Sequence, residues 1–378
     1  MGIVTIEKID SYDSINLIQS HINTMIDNSS LSKRLFEGAK VVLKTNLLMK
    51  KKPEDAVTTH PIIIECAANY FINRGCIVTI ADSPAGPFTR SALEGIYSAS
   101  GISEAARNSG AFLNYNTESS DVHPENSLRL KTFKVIDIVT QADFVISLAK
   151  FKTHGMMTFT GAVKNLFGVI PGLIKAEYHF KLMEQENFGH HLIDIEQYVK
   201  PDYSIIDGIE AMEGNGPSNG IKRQLGLIIG AENPYEADYV AADIASIPYR
   251  LIPTIYLAEQ RELFSIDNIN IKGIRYKDLN IAPFILPDSV ELTFLPRKIH
   301  PKMKDFIIRR LKSKPEFVHS KCISCGHCVR NCPAKVIKIV ENKPVVNLKG
   351  CISCFCCHEV CPADAINIKN SLLLKLLK

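Results

Sequence analysis

Two cysteine-rich segments near the end of the chain repeat each other and constrain everything built around them. Cys322, Cys325, Cys328 and Cys332 are separated by two, two and three residues and followed by Pro333; Cys351, Cys354, Cys357 and Cys361 repeat the spacing, followed by Pro362. The offset of 29 residues carries more than the thiols, since Ile323-Ser324 recurs as Ile352-Ser353, and Ile337 and Ile339 recur as Ile366 and Ile368. Three thiols on one tight loop point at three corners of a cubane, and the fourth opens a short helix that faces elsewhere. Zinc is the competing reading. Zinc sites pair two short CxxC hooks across a longer gap, so this spacing predicts two [4Fe–4S] clusters instead.

The duplication resembles that of a bacterial two-cluster ferredoxin. In such domains the fourth cysteine of each motif ligates the opposite cluster. The resemblance therefore implies one ligand set of Cys322, Cys325, Cys328 and Cys361, and a second of Cys351, Cys354, Cys357 and Cys332. Cys356 is left over beside Cys357 and is not expected to ligate. His327 and His358 each flank a cluster cysteine and read as surface groups or donors to sulfur.

Nine of the eleven cysteines lie between Cys322 and Cys361, with Cys66 and Cys76 outside, so a disulfide framework is excluded in favour of metal ligation. Hydrophobic residues make up 46% of the chain and charged residues 22%, enough for a sizeable core. No apolar run reaches the ~18 residues of a membrane span, and Met1-Gly2-Ile3-Val4 lacks a secretory start, so the expected compartment is the cytoplasm. Charge is uneven. Residues 297–378 hold 17 Lys and Arg against 5 Asp and Glu, while residues 1–296 hold 27 against 35. No aromatic-interleaved basic stripe accompanies the excess, so nucleic acid is not an expected partner. The positive tail offsets anionic clusters and docks on the acidic body.

Residues 1–296 read as an α/β domain with a mixed or largely parallel sheet. Val41–Lys44, Cys76–Ala81, Asp143–Leu148, Tyr203–Asp207 and Leu225–Gly230 are short apolar runs, and helical patterns such as Pro61–Asn73 and Tyr235–Ile247 fall between them. Residues 297–316 form an expected basic linker helix, in which Met303, Phe306, Ile307 and Leu311 share a face. Residues 317–370 form a small α+β ferredoxin-like domain, and 371–378 an apolar tail covering the body.

Ligands in open α/β sheets bind where strands end. Four polar or glycine-rich segments follow predicted strands: Lys44-Thr45-Asn46; Asp82 to Pro87; Ser147 to His154 with its continuation Thr160 to Gly168; and Asp207 to Pro217. In this order they resemble the conserved domain of unknown function 362, often fused to a ferredoxin tail, over residues 38–250. The resemblance implies an iron–sulfur protein and attaches no reaction.

The chemistry must come from the residues. Lys44, Lys150, Lys152 and Lys164, with Asn46 and Asn165 beside them, make an anion site for carboxylate or phosphate, and the glycines at Gly161 and Gly168 admit a helix start close to a ligand. This is not a Walker A loop, and no GxGxxG follows a strand. His60, His154 and His179 with Asp82, Asp207 and Glu213 are the acid–base or metal candidates. We expect Lys164, His154, Asp207 and Glu213 in catalysis, and Lys44, Asn46, His60, Asp82, Lys150, Lys152, Asn165 and His179 around a substrate; His190-His191 reads as surface. Three functions follow from this reading: an electron-fed domain acting on a small anionic substrate or redox partner, as in a ferredoxin-linked oxidoreductase; a pure carrier with the body as docking platform; and an isomerase or transferase with structural clusters.

Overall fold

The computed structural model describes residues 2–289 and 312–370. Of the expected linker helix over 297–316, residues 297–311 lie outside the described residues, as does the tail 371–378, whereas residues 314–316 belong to a strand, Lys314–Phe317, that pairs within the C-terminal unit instead of to a helix.

The body is one nine-stranded sheet with helices on both faces. Its strands are β1 (Gly2–Lys8), β2 (Lys40–Lys44), β3 (Ile77–Ala81), β4 (Phe112–Leu113), β7 (Phe144–His154), β8 (Thr158–Thr160), β9 (Tyr203–Glu213), β10 (Ile221–Ala231) and β11 (Ile269–Gly273). A separate hairpin, β5 (Ser119–Val122) with β6 (Phe133–Ile136), stands outside it. The order is β11-β1-β10-β9-β7-β2-β3-β4, with β8 folded back on β7. Strands β9, β7, β2, β3 and β4 run parallel, whereas β10 is antiparallel to both its neighbours. This is the expected mixed, largely parallel sheet, and the expected apolar runs are its strands.

Alternation along the eleven-residue β7 builds two cores from one strand. Phe144, Ile146 and Leu148 pack with the helices Ile15–Asp27 and Pro61–Ile72. Ala149 and Phe151 face the opposite way, against the helix Pro234–Ile244. Each such side chain contributes about 1.5–3 kcal/mol by leaving water. Past Leu148, the first face continues as Lys150, Lys152 and His154, all buried. Apolar packing thus holds the strand, and its polar end is presented beyond the core.

The C-terminal unit is a small α+β fold. β12 (Lys314–Phe317) pairs with β15 (Ile366–Lys369), and β13 (Ile337–Val340) with β14 (Lys343–Val346). Two one-turn helices, His327–Arg330 and Cys356–Glu359, carry the third thiol of each motif. His358 corrects an expectation: it is buried at the junction with the body rather than exposed. Its Nδ1 lies 2.6 Å from the Ile366 carbonyl and its Nε2 2.9 Å from that of Asn215. Asn219 donates to the His358 carbonyl at 3.2 Å.

Candidate functional site

The thiols ring two cavities. One is lined by Cys322, Cys325, Cys328 and Cys361, the other by Cys332, Cys351, Cys354 and Cys357. Each therefore draws three thiols from one motif and the fourth from the other motif. Among the described residues no three His, Cys, Asp or Glu side chains converge on one point as a single ion requires. Thiols spread around an apolar cavity suit a cubane, whose irons sit at separate corners. Cys356 lines neither cavity; it is buried and faces a third one.

That third cavity is a cleft of about 730 Å³ where the C-terminal ends of β2, β3 and β7 meet the module. The body supplies Asn46, Asp82, Lys152, His154, Lys164, Asn165, Lys175 and His179; the module supplies Asn331, Cys356, Glu359 and Val360. Glu359 lies between Cys357 and Cys361, so the helix bearing one thiol is also a wall of the cleft. His154 Nε2 and Glu359 Oε1 are 3.2 Å apart across the junction. The module thus contributes the acid of this contact, and not the basic docking charge that its composition suggested.

Most cleft cations are already engaged by protein groups. Lys44 pairs with Asp82 at 2.9 Å and donates to Asn165 at 3.2 Å. A Cβ on Gly168 would come within 1.9 Å of Asp82 Oδ1, so this glycine makes room for the ion pair rather than for a ligand. Lys152 donates to Asn46 at 3.0 Å and to the Val57 carbonyl at 2.7 Å. Lys175 reaches the carbonyls of Ser83 and Pro84. Lys164 differs: its ammonium stands 5.7 Å over the Phe167 ring, and among the described residues no acceptor holds it. His179, sandwiched on Phe188, keeps Nδ1 unpartnered among those residues.

The short helix Ala162–Asn165 positions Lys164, but its amino end is not free for an anion. Asp238 fills it, accepting from Ala162 N at 2.6 Å and from Val163 N at 3.1 Å. The glycine-rich start is therefore capped from within.

The structure separates the candidates. His154, Lys164, Asn165, His179, Asn46, Asp82 and Lys152 line the cleft, with Lys44 behind Asp82. Lys150, Asp207 and His60 form a different network. Lys150 pairs with Asp207 at 2.9 Å, Tyr12 donates to Asp207 at 2.7 Å, and His60 stacks on Tyr12 with ring centroids 3.5 Å apart. Glu213 is bound by Arg223 at 2.7 Å and by Ile285 N at 3.1 Å. His191, read as surface, is buried edge-on against Phe133 and Tyr178. Glu359, Lys175 and Asn331 were not anticipated. A signal existed: at an offset of 29 residues every non-cysteine position of one stretch differs, Gly326-His327 against Phe355-Cys356 and Val329-Arg330-Asn331 against His358-Glu359-Val360. The second copy departs from the first where it faces the body.

Burial sets the electrostatics. It lowers the Lys164 ammonium, opposed by Glu359, and brings Lys175 down to about 7. Burial, with Lys164 nearby, holds His154 to about 4, and burial holds His179 to about 3. Burial alone would raise Glu359, but His154, Lys164 and His179 outweigh it and hold the carboxyl to about 2. At neutral pH the two imidazoles are uncharged, and the carboxylate balances the lysines. An unfolded imidazole binds a proton near pH 6.5 that the folded one refuses until about 4. Acid therefore favours unfolding across that window. The urea midpoint should fall steadily from pH 6.5 to 4, with a shallower fall in His154→Gln, measured at constant iron content.

A cleft built jointly by an α/β body and the thiol-bearing helix of a ferredoxin-type unit defines an iron–sulfur protein whose two parts share one site. Comparison with known proteins identifies the two parts. Residues 41–243 match the family model described as domain of unknown function DUF362, and residues 314–362 match that of a 4Fe-4S dicluster domain. The chain belongs to the DUF362 family, in a form carrying the dicluster domain at its C-terminal side. It is 30% identical over 318 residues to the thylakoid-associated protein sll1697 of Synechocystis sp., covering 82% of this chain and 96% of that one. Among solved structures, the lactate racemase apoprotein from Thermoanaerobacterium thermosaccharolyticum superposes with a TM-score of 0.41 at 13% identity, over 65% of this chain and 58% of that chain. A Thermotoga maritima protein gives 0.37 at 13%, over 62% and 59%. Among the described residues no helix is long and apolar enough to cross a membrane.

Proposed function

We propose that the chain holds two [4Fe–4S] clusters by crossed ligand sets and exchanges electrons with a small anionic ligand bound in the cleft. The observation that carries this reading is the cleft wall. Cys356 and Glu359 line the cleft from either side of Cys357, a proposed ligand of the second cluster, so a ligand there lies beside that cluster. The clusters would supply single electrons at low potential. The remaining work belongs to this chain's side chains. Lys164 offers the unengaged cation for a carboxylate or phosphate, and His179 Nδ1 offers a second polar contact. His154 and Glu359, 3.2 Å apart, hold or pass a proton at the inner end. Phe167, Ala176 and Val360 exclude water around them. We place the protein in the cytoplasm, where thiols stay reduced.

The test is anaerobic titration of the reconstituted protein with inorganic phosphate and with succinate, read by calorimetry and by the electron paramagnetic resonance of the reduced clusters. One of these anions should bind and perturb the spectrum. Lys164→Gln should weaken it by about tenfold or more, the worth of one charge-assisted hydrogen bond. Binding unaffected by Lys164→Gln, or no spectral response, sinks the reading and leaves the carrier with a docking platform. A reaction indifferent to cluster oxidation state would instead make the clusters structural.

A further inference from the structure

The cavity ringed by Cys322, Cys325, Cys328 and Cys361 shares no lining residue with the cleft. Its rim is open and apolar. Ile323 and Ile339 line it while 65% and 45% exposed, Ile339 standing beside Pro344 on the inner face of the β13–β14 hairpin. Contiguous exposed apolar surface marks an interaction site. Here it surrounds one thiol-lined cavity on the module.

Charge decides the partner. The described part of the module holds 9 Lys and Arg against 4 Asp and Glu, and one of those acids, Glu359, faces the cleft. Lys321, next to Cys322, is exposed, and Lys343, at the start of β14, donates to the Cys322 carbonyl at 3.2 Å. Lys321 makes a 3.7 Å pair with Asp364, and the acid nearest it in sequence, Glu316, is paired with Lys369. An apolar centre with a basic rim fits a partner with an apolar centre and an acidic rim.

We propose that this face docks an acidic one-electron carrier protein, so that electrons enter at the exposed cavity and leave at the cleft. The proposal rests on reading the chain as a redox protein. The step is a transfer of one electron: the carrier is oxidised by one, the site it faces is reduced by one, and no bond is made or broken.

The probe is a purified acidic two-cluster ferredoxin, with a basic cytochrome as control, against the full reconstituted chain. Stopped-flow reduction by the ferredoxin should slow by about tenfold or more in the double variant Lys321→Glu with Lys343→Glu. The Kd of the pair, measured by sedimentation, should weaken with it. The difference should close as NaCl rises from about 0.1 M to about 1 M, which shortens the Debye length from about 10 Å to about 3 Å. Ile323→Ser should slow the reaction at every salt concentration. Reduction by titanium(III) citrate, which needs no docking, should be unchanged. Equal rates and Kd in wild type and variant overturn the proposal while the cleft reading stands. Clusters that titanium(III) citrate cannot reduce overturn the redox reading itself. Loss of binding to phosphatidylglycerol vesicles, with ferredoxin reduction unaltered, would reassign the face to a membrane surface and overturn the proposal as well.

Discussion

Combining Cys332→Ala with Cys357→Ala should remove about half of the bound iron and sulfide, whereas combining Cys332→Ala with Cys328→Ala should remove nearly all of it. The reason is the lining of the two cavities. Cys332 shares a cavity with Cys357, although 332 belongs to the first motif and 357 to the second. Cys328 lines the other cavity, with Cys361. In the first pair both substitutions fall on one cluster and the other keeps its four thiolates. In the second pair each cluster loses a ligand. If ligation followed the motifs, the two outcomes would exchange. Iron and acid-labile sulfide assays, with the spectrum of the reduced protein, distinguish the cases.

Asp207→Ala should destabilise the body by about 3–5 kcal/mol, the cost of leaving a buried charge without its partner. The carboxylate is fully buried. It accepts from Lys150 at 2.9 Å, from Tyr12 at 2.7 Å and from His60 N at 3.0 Å. Truncation strands all three donors. Replacing the pair together, Lys150→Met with Asp207→Leu, removes both charges at similar volume and should recover most of the loss. Urea unfolding measures both. A stable Asp207→Ala protein with altered anion binding would return this residue to the cleft chemistry expected from the sequence. The structure instead places it in a closed network one step down β7.

What could be read from sequence tracks how local the physics is. The cysteine spacing is a property of two loops, so the repeat made the eight thiols legible and the ferredoxin resemblance their crossed division, which matches the lining of the two cavities. The strands were readable because a buried parallel strand is a continuous apolar run. The strand read from sequence ends at Leu148, and the structure carries it on to His154, with Lys150, Lys152 and His154 on one face. Sequence could not say which carboxylates meet them. Lys44 pairs with Asp82 and Lys150 with Asp207 across 38 and 57 positions, and only the sheet order decides that the latter pair is sealed off while Lys152 and His154 reach the cleft. Lys164 was readable as a cation, but its lack of an acceptor is a tertiary fact. Glu359 was hidden for another reason. It lies in a segment whose cysteines already explained it, so a second role for the same turn of helix went unsought.

The eleven residues of β7 also limit how the gene can change. The strand's two faces alternate residue by residue, so gain or loss of a single codon between Phe144 and Leu148 would exchange Lys150, Lys152 and His154 for the positions now held by Ala149, Phe151 and Thr153. Two lysines and a histidine would be driven into the core beside Pro234–Ile244, and aromatic bulk would enter the cleft. Homologous chains should accordingly accept insertions in the connections flanking this strand while keeping its length, and a new ligand preference should evolve by substitution at its carboxyl end.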